Sequence, residues 1–332
     1  MTRLALPSKG EMEEPTLGFL ASCGLAVDRP NQRQYSATVP SLPGVEILFQ
    51  RSADIATEVE EGSADLGITG YDTFREMARE GGAALLLYED LGYSRCELVL
   101  AVPEAWVDVN SLADIVDLSI EFRERGRELR VATKYPRLTR QFLFQRGLTH
   151  FGVVGSTGAM EAAPTMGYAD IIADLTASGV TLRENHLKLV EGGTILRSAA
   201  CLIGNRRALG RDAAALELAR LLLEYVEARL RGGGRVALTA NLHAASPEEA
   251  AQRVLSDPAL AGLHGPTVAP VYGKASAVAD AFAVTVVLDR GAVMRAVQHL
   301  RQAGASSISV TPIHYLFEGE CAAFQRLRRN LH

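Results

Sequence analysis

Three consecutive glycines, Gly232-Gly233-Gly234, constrain this chain more than any other feature. They follow residues 212–230, one long stretch with apolar side chains at helical spacing, and a glycine run there either caps the helix or joins two bodies. Beyond them the pattern is compact. Strands are predicted over residues 236–243, 267–272, 281–288 and 307–315. Helices are predicted over 247–255, with Pro247 in the first turn, and over 292–303. That order, βαββαβ, is the ferredoxin-like plan of about 80 residues. Before the glycines, strands over 3–7, 45–50, 65–69, 97–102, 129–133, 151–154 and 169–175 alternate with helices over 14–23, 53–61, 72–80 and, after the loop 134–136, through residue 145. Residues 156–166 are expected to form a turn that opens into a short helix. This alternation implies a parallel α/β sheet with ligands at the carboxyl ends of its strands.

The 332 residues suit two or three domains and a sizeable core. Hydrophobic residues at 48% and charged residues at 22% place the chain among soluble globular proteins. The net charge of −5 argues against nucleic acid as a partner, which would need a basic face. Cys23, Cys96, Cys201 and Cys321 are far apart and never form a CxxC pair, so reduced thiols and a cytoplasmic location are expected. Residues 1–11 are too short in apolar side chains for a signal segment, and no apolar run approaches the roughly 18 residues of a membrane helix. The seven histidines are scattered without metal-ligand spacing.

The stretch from Asp170 to Thr181 carries the chemistry. An apolar strand delivers Asp174 to its carboxyl end, and Thr176, Ala177, Ser178, Gly179, Val180 and Thr181 follow. Small and hydroxyl residues around a glycine let backbone N–H groups converge on a phosphate. Asp174 would then stand where a ribose hydroxyl or a metal-bound diphosphate is held. The same residues also suit an ordinary strand-to-helix turn capped by Ser or Thr.

This turn resembles the loop with which phosphoribosyltransferases grip the 5′-phosphate of phosphoribosyl pyrophosphate (PRPP). Lys9-Gly10, Arg51-Ser52-Ala53-Asp54-Ile55, Asp65-Leu66-Gly67-Ile68-Thr69-Gly70, Asp90 to Cys96, Val131 to Pro136 and Gly158 to Pro164 are similar, in order, to the blocks of one family. That family is the ATP phosphoribosyltransferases that begin histidine biosynthesis, and the C-terminal segment resembles the regulatory domain of the long form. The resemblance implies a two-domain core like a periplasmic binding protein plus a ferredoxin-like regulatory domain. Catalytic domain I would comprise residues 1–102 and 187–232, domain II residues 103–186, the regulatory domain residues 235–317 and a tail residues 318–332. It implies condensation of ATP, through adenine N1, with PRPP, and feedback inhibition by histidine. Mg²⁺ is expected as cofactor, and a homo-oligomer, dimer or hexamer, as the assembly.

The matching positions imply site residues. Glu161, Asp174 and residues 176–181 would hold PRPP. Lys9, Gly10, Arg51, Asp72 and Tyr135 would hold ATP, with Lys9, Arg51 and Asp174 catalytic. Asp170 and Asp174 would serve a metal, although Asp170 reads instead as an ordinary strand-start residue. Asn241, Thr267, Ser306 and Ser307 would hold histidine. The chain departs from the family at Glu97, where Arg is usual, at Glu11 and Met12, and at Asn241, where an acidic residue is usual. Two other classes compete: a two-domain small-molecule-binding or regulatory protein without turnover, and a phosphoribosyltransferase with another acceptor base. The basic residues Arg326, Arg328 and Arg329 read as a solvated terminus or subunit contact.

Overall fold

The computed structural model describes every residue except Gln32, residues 156–159, His264, residues 273–276 and His332, and it leaves out the side chains of Ala259 and residues 277–279. The chain divides into two compact units, Met1–Leu223 with Ala323–His332, and Glu224–Ala322.

The first unit opens with β1 (Thr2–Pro7), α1 (Glu13–Ser22), β2 (Ser36–Thr38), β3 (Val45–Gln50), α2 (Ser52–Glu61), β4 (Leu66–Gly70), α3 (Tyr71–Met77) and β5 (Ala84–Tyr88). It continues with β6 (Cys96–Pro103), α4 (Leu112–Glu124), β7 (Leu129–Thr133), α5 (Pro136–Gln145), β8 (Phe151–Gly155), β9 (Ile171–Thr176), α6 (Val180–Glu184) and β10 (Leu187–Ser198). The chain then returns through β11 (Ala200–Asn205), α7 (Arg206–Arg211) and α8 (Ala213–Gly232), whose residues from Glu224 onward belong to the second unit.

These strands form two sheets, each the centre of a lobe. The first is ordered β2-β3-β1-β4-β11-β5 and the second β10-β6-β9-β7-β8. In the first, β1 runs parallel to β3 and β4, and β11 lies antiparallel between β4 and β5. In the second, β7 runs parallel to β8 and β9, while β6 is antiparallel to β9 and β10 to β6. The central strands are apolar along their length because helices cover both faces. Leu4, Leu6, Ile47, Phe49, Leu66, Ile68, Val131, Ile171 and Ala173 are all fully buried.

Two sequence boundaries need correction. β6 and β10 pair in the second sheet, so domain I ends before residue 96 and resumes only after residue 198. Sheet membership is a long-range property that local pattern does not carry.

The second unit holds β12 (Arg235–His243), α9 (Pro247–Leu255), β13 (Thr267–Tyr272), β14 (Ala277–Asp289), α10 (Val293–Gln302) and β15 (Ser306–Pro312). Its sheet, ordered β13-β14-β12-β15 and antiparallel throughout, has the ferredoxin-like strand order. Along β12 every second residue from Val236 to Leu242 is buried beneath α9 and α10, where Ala250, Val254, Ala296 and Leu300 complete the core.

The predicted tail is in part a helix, α11 (Ala322–Leu331), which buries Ala323 and Leu327. It therefore belongs to the first unit, where Arg206 Nη1 donates to the Asn330 carbonyl at 2.9 Å. Among the described residues no helix is long and apolar enough to cross a membrane.

Candidate functional site

The second lobe collects its candidates at the carboxyl end of β9. Ile171, Ile172 and Ala173 are fully buried, and the strand emerges at Asp174. Asp174 Oδ1 accepts the Leu175 N–H at 2.9 Å. Burial pushes the Asp174 carboxyl above the ordinary carboxylate range, and Glu161 adds to the rise. The Leu175 amide and Lys134 oppose it. Glu161 lies in the short turn Met160–Ala162. Gly158 and Ala159 of the same block, and the start of the turn expected over 156–166, lie outside the described residues.

After β9 the Gly179 N–H donates to Thr176 Oγ1 at 2.8 Å and closes the turn. Gly179 sits at φ 71° and caps α6. A Cβ on it would meet nothing within 4 Å, so the need for glycine is conformational rather than steric. Ala177, Ser178, Val180 and Thr181 are exposed, so the turn's amides and hydroxyls are open to a ligand. Leu182, buried, anchors the far side.

The first lobe brings Lys9 and Arg51 together. They follow β1 and β3, parallel neighbours with Pro7 opposite Gln50, and the Ser8 N–H donates to the Gln50 carbonyl at 2.7 Å. Gly10, at φ 80°, turns the chain into α1. Arg51 precedes α2, whose position against β4 depends on Gly67. A Cβ there would stand 2.6 Å from Ile55 Cγ2. Lys9 and Arg51 are both exposed.

Asp72 stands elsewhere than expected. It is 4% exposed, and its carboxylate is fully engaged. Ser198 Oγ donates to Oδ1 at 2.6 Å, and Tyr135 Oη from the second lobe and Thr73 Oγ1 donate to Oδ2 at 2.7 and 3.1 Å. It therefore joins the two lobes rather than offering a contact to ATP. Burial, the neighbouring Asp72 charge and this hydrogen bond push the Tyr135 phenol far above its ordinary range. Only the Tyr135 ring is left for a nucleotide.

Asp170 is likewise corrected as a metal ligand. It lies four residues from Asp174 along extended chain, roughly 13 Å, at the opposite end of the sheet. Its oxygens accept from Arg130 N, Nε and Nη2 at 2.8, 3.1 and 3.1 Å and from Arg127 Nη2 at 3.3 Å.

A cleft of about 450 Å³ joins the lobes, lined by Tyr71, Cys96, Glu97, Ala177, Arg197 and Ser198 among others. Glu97, the departure noted above, accepts from Arg197 Nε at 3.0 Å. Burial pushes the Cys96 thiol up to about 11. Sequence reasoning assigned no role to Ser198, Lys134 or Arg197. Lys134 had a signal, since it lies in the stretch Val131 to Pro136 directly after a buried strand, whereas Ser198 becomes visible only through the return of the chain across the lobes.

Among the described residues no group of three or more His, Cys, Asp or Glu side chains is arranged to hold a metal ion. Asp174, with one oxygen committed to a single amide, and Glu161 nearby suit a hard cation that takes most of its ligands from a diphosphate and water.

In the second unit Asn241 and Ser306 stand opposite each other in the β12–β15 ladder. Thr267 pairs with Thr285, whose hydroxyl bonds that of Thr239 at 2.9 Å. Strand alternation puts Asn241, Thr239 and Thr267 on the sheet face away from α9 and α10. Ser307, at φ 53°, adjoins the irregular register there.

A family model described as ATP phosphoribosyltransferase matches residues 51–227, and one described as HisG, C-terminal domain, matches residues 233–315. The chain is 40% identical over 335 residues to ATP phosphoribosyltransferase 1, chloroplastic, of Arabidopsis thaliana, covering 99% of this chain and 80% of that protein. It is 46% identical over 211 residues to the ATP phosphoribosyltransferase of Mesorhizobium japonicum, covering 63% of this chain and 91% of that one. The ATP phosphoribosyl transferase (HisG:HisZ) complex from Thermotoga maritima shares the fold, with TM-score 0.53 and 24% identity over 68% of this chain and 99% of that chain.

Proposed function

The chain belongs to the ATP phosphoribosyltransferases, and we propose from that premise how its own residues divide the work. The reaction is the first step of histidine biosynthesis. The lone pair of adenine N1 in ATP forms a bond to the anomeric carbon of PRPP, and the bond from that carbon to pyrophosphate breaks. Such chemistry asks for positioning and for neutralisation of the departing diphosphate more than for covalent help.

Residues 176–181 hold the 5′-phosphate of PRPP by turn amides and hydroxyls. Asp174, with Glu161, holds the ribose and its metal. Lys9 and Arg51, at the ends of adjacent parallel strands, meet the polyphosphates, Lys as a point charge and Arg as a fork. The Tyr135 ring lies against the nucleotide. Bound Mg²⁺ supplies a charge clamp on the diphosphate oxygens. The observation that carries this reading is the shared cleft, where Ala177 of the turn and Tyr71 of the other lobe line one cavity.

The second unit binds histidine at Asn241, Thr267, Ser306 and Ser307 and lowers activity, and the protein works as a homo-oligomer. Purified chain with ATP, PRPP and Mg²⁺ is to form an adduct with a shifted adenine absorbance and one pyrophosphate per adduct. Histidine is to suppress it, and less so in Asn241→Leu. Folded chain without adduct at saturating substrates refutes the assignment of roles.

A further inference from the structure

Helix α5 begins without a cap of its own. Tyr135 holds the N-cap position and makes no capping hydrogen bond, and Pro136 after it has no N–H to satisfy. The next two amides, of Arg137 and Leu138, donate to the two carboxylate oxygens of Glu76 at 2.8 and 2.9 Å. The cap is thus delivered from α3, in the other lobe. Arg137 Nε also donates to the Glu76 carbonyl at 2.8 Å. Four residues earlier on α3, Asp72 takes the Tyr135 hydroxyl and the Ser198 hydroxyl. Residues four apart share a helix face, so two carboxylates grip one turn of the second lobe side by side. Glu76 lies in the last turn of α3, where the helix dipole disfavours a carboxylate. The N-terminus of α5 offsets that cost.

We propose that Asp72 and Glu76 are positioning residues. Together they clamp the angle between the lobes and hold the Lys134–Tyr135 turn near Asp174 before any substrate arrives. The clamp keeps the binding arrangement populated in the free chain, so neither substrate has to create it. Loosening it raises the apparent dissociation constants of ATP and PRPP by one shared factor and leaves the rate at saturation intact. A residue that touched a single substrate would move the KM of that substrate alone.

This proposal rests on the cleft being where ATP and PRPP meet, and the test separates the two ideas. In the full chain, Glu76→Gln keeps the side-chain length but turns one of its two acceptors into a donor facing an N–H. The dissociation constants of ATP and of PRPP, each titrated alone into the free chain, are expected to rise together by about tenfold, with kcat at saturation within about twofold. X-ray scattering of the free variant is to show a larger radius of gyration that returns to the wild-type value with saturating PRPP and Mg²⁺. Tyr135→Phe deletes only the hydroxyl at the other half of the clamp and is to widen the free chain too, which guards against misfolding in Glu76→Gln. Wild-type dissociation constants and wild-type scattering in a folded Glu76→Gln variant would overturn the clamp, as would a fall in kcat with both dissociation constants unchanged. The scattering of the free chain decides the clamp even if the cleft proves not to be where the substrates meet.

Discussion

Asp170 and Asp174 belong to one stretch of chain, and the proposed function gives them opposite duties that a pair of substitutions separates. Asp170 is 8% exposed and receives four donors from Arg127 and Arg130. Removing one partner of a buried pair costs about 3–5 kcal/mol. Here both arginines reach solvent and rehydrate once freed, with side chains 36% exposed at Arg130 and 56% at Arg127. The cost of Asp170→Asn therefore falls to about 2–3 kcal/mol, below that range. For a body of this size each kcal/mol lowers the melting temperature by about 2–4 °C, so a fall of about 5–10 °C is expected. Asp174 is half-buried and its charge is disfavoured there, so Asp174→Asn costs no stability. It removes the carboxylate proposed to face the ribose and metal, and kcat/KM for PRPP should fall by about 100-fold or more. Thermal unfolding by circular dichroism and initial rates against PRPP measure both quantities on the same samples. An Asp170→Asn variant that melts like wild type yet loses kcat/KM as heavily as Asp174→Asn would refute the division.

The raised Asp174 carboxyl predicts a pH effect with a definite sign. The folded chain binds a proton there more readily than the unfolded one, so the group weighs against folding at neutral pH, and that penalty disappears as pH falls through the folded pKa. In the proposed role PRPP binding uses the ionised form, so PRPP affinity should decline on an acid limb that lies above the ordinary carboxylate range and is missing in Asp174→Asn. A limb unchanged in that variant would assign it to another group. Deleting residues 323–332 exposes the contacts of Ala323 and Leu327 and removes the Asn330 carbonyl from Arg206, at a cost of about 2 kcal/mol by chemical denaturation. Unchanged stability would return α11 to the status of a loose tail.

What the sequence revealed follows from burial. β1, β4, β7 and β9 are mostly buried along their length, and covered parallel strands read as short apolar runs between glycines and prolines. β5 and β10 escaped that test. β5 is only half-buried along Ala84–Tyr88. β10 loses its alternation at shifts of register around Gly192 and Gly193, where a Cβ on Gly193 would stand 2.5 Å from Val190 Cγ2. α4 was legible in principle, since Ser111 and Asp114 form a capping box, and α11 carried Ala323 and Leu327 at helical spacing. The turn after Asp174 could be read because its small residues and glycine are contiguous. Asp72 could not be placed, because its partners Tyr135 and Ser198 are 63 and 126 residues away.

The central claim is that the turn from Asp174 to Thr181 grips PRPP, and a PRPP titration tests it most directly. Calorimetric binding of PRPP with Mg²⁺ to the wild-type chain and to the double variant Gly179→Ala with Thr181→Ala compares an open turn with a strained one, because Gly179 holds φ 71°. PRPP binding at least about tenfold weaker is expected in the variant, with the histidine binding proposed for the second unit unchanged. PRPP affinity equal to wild type in a folded double variant would contradict it.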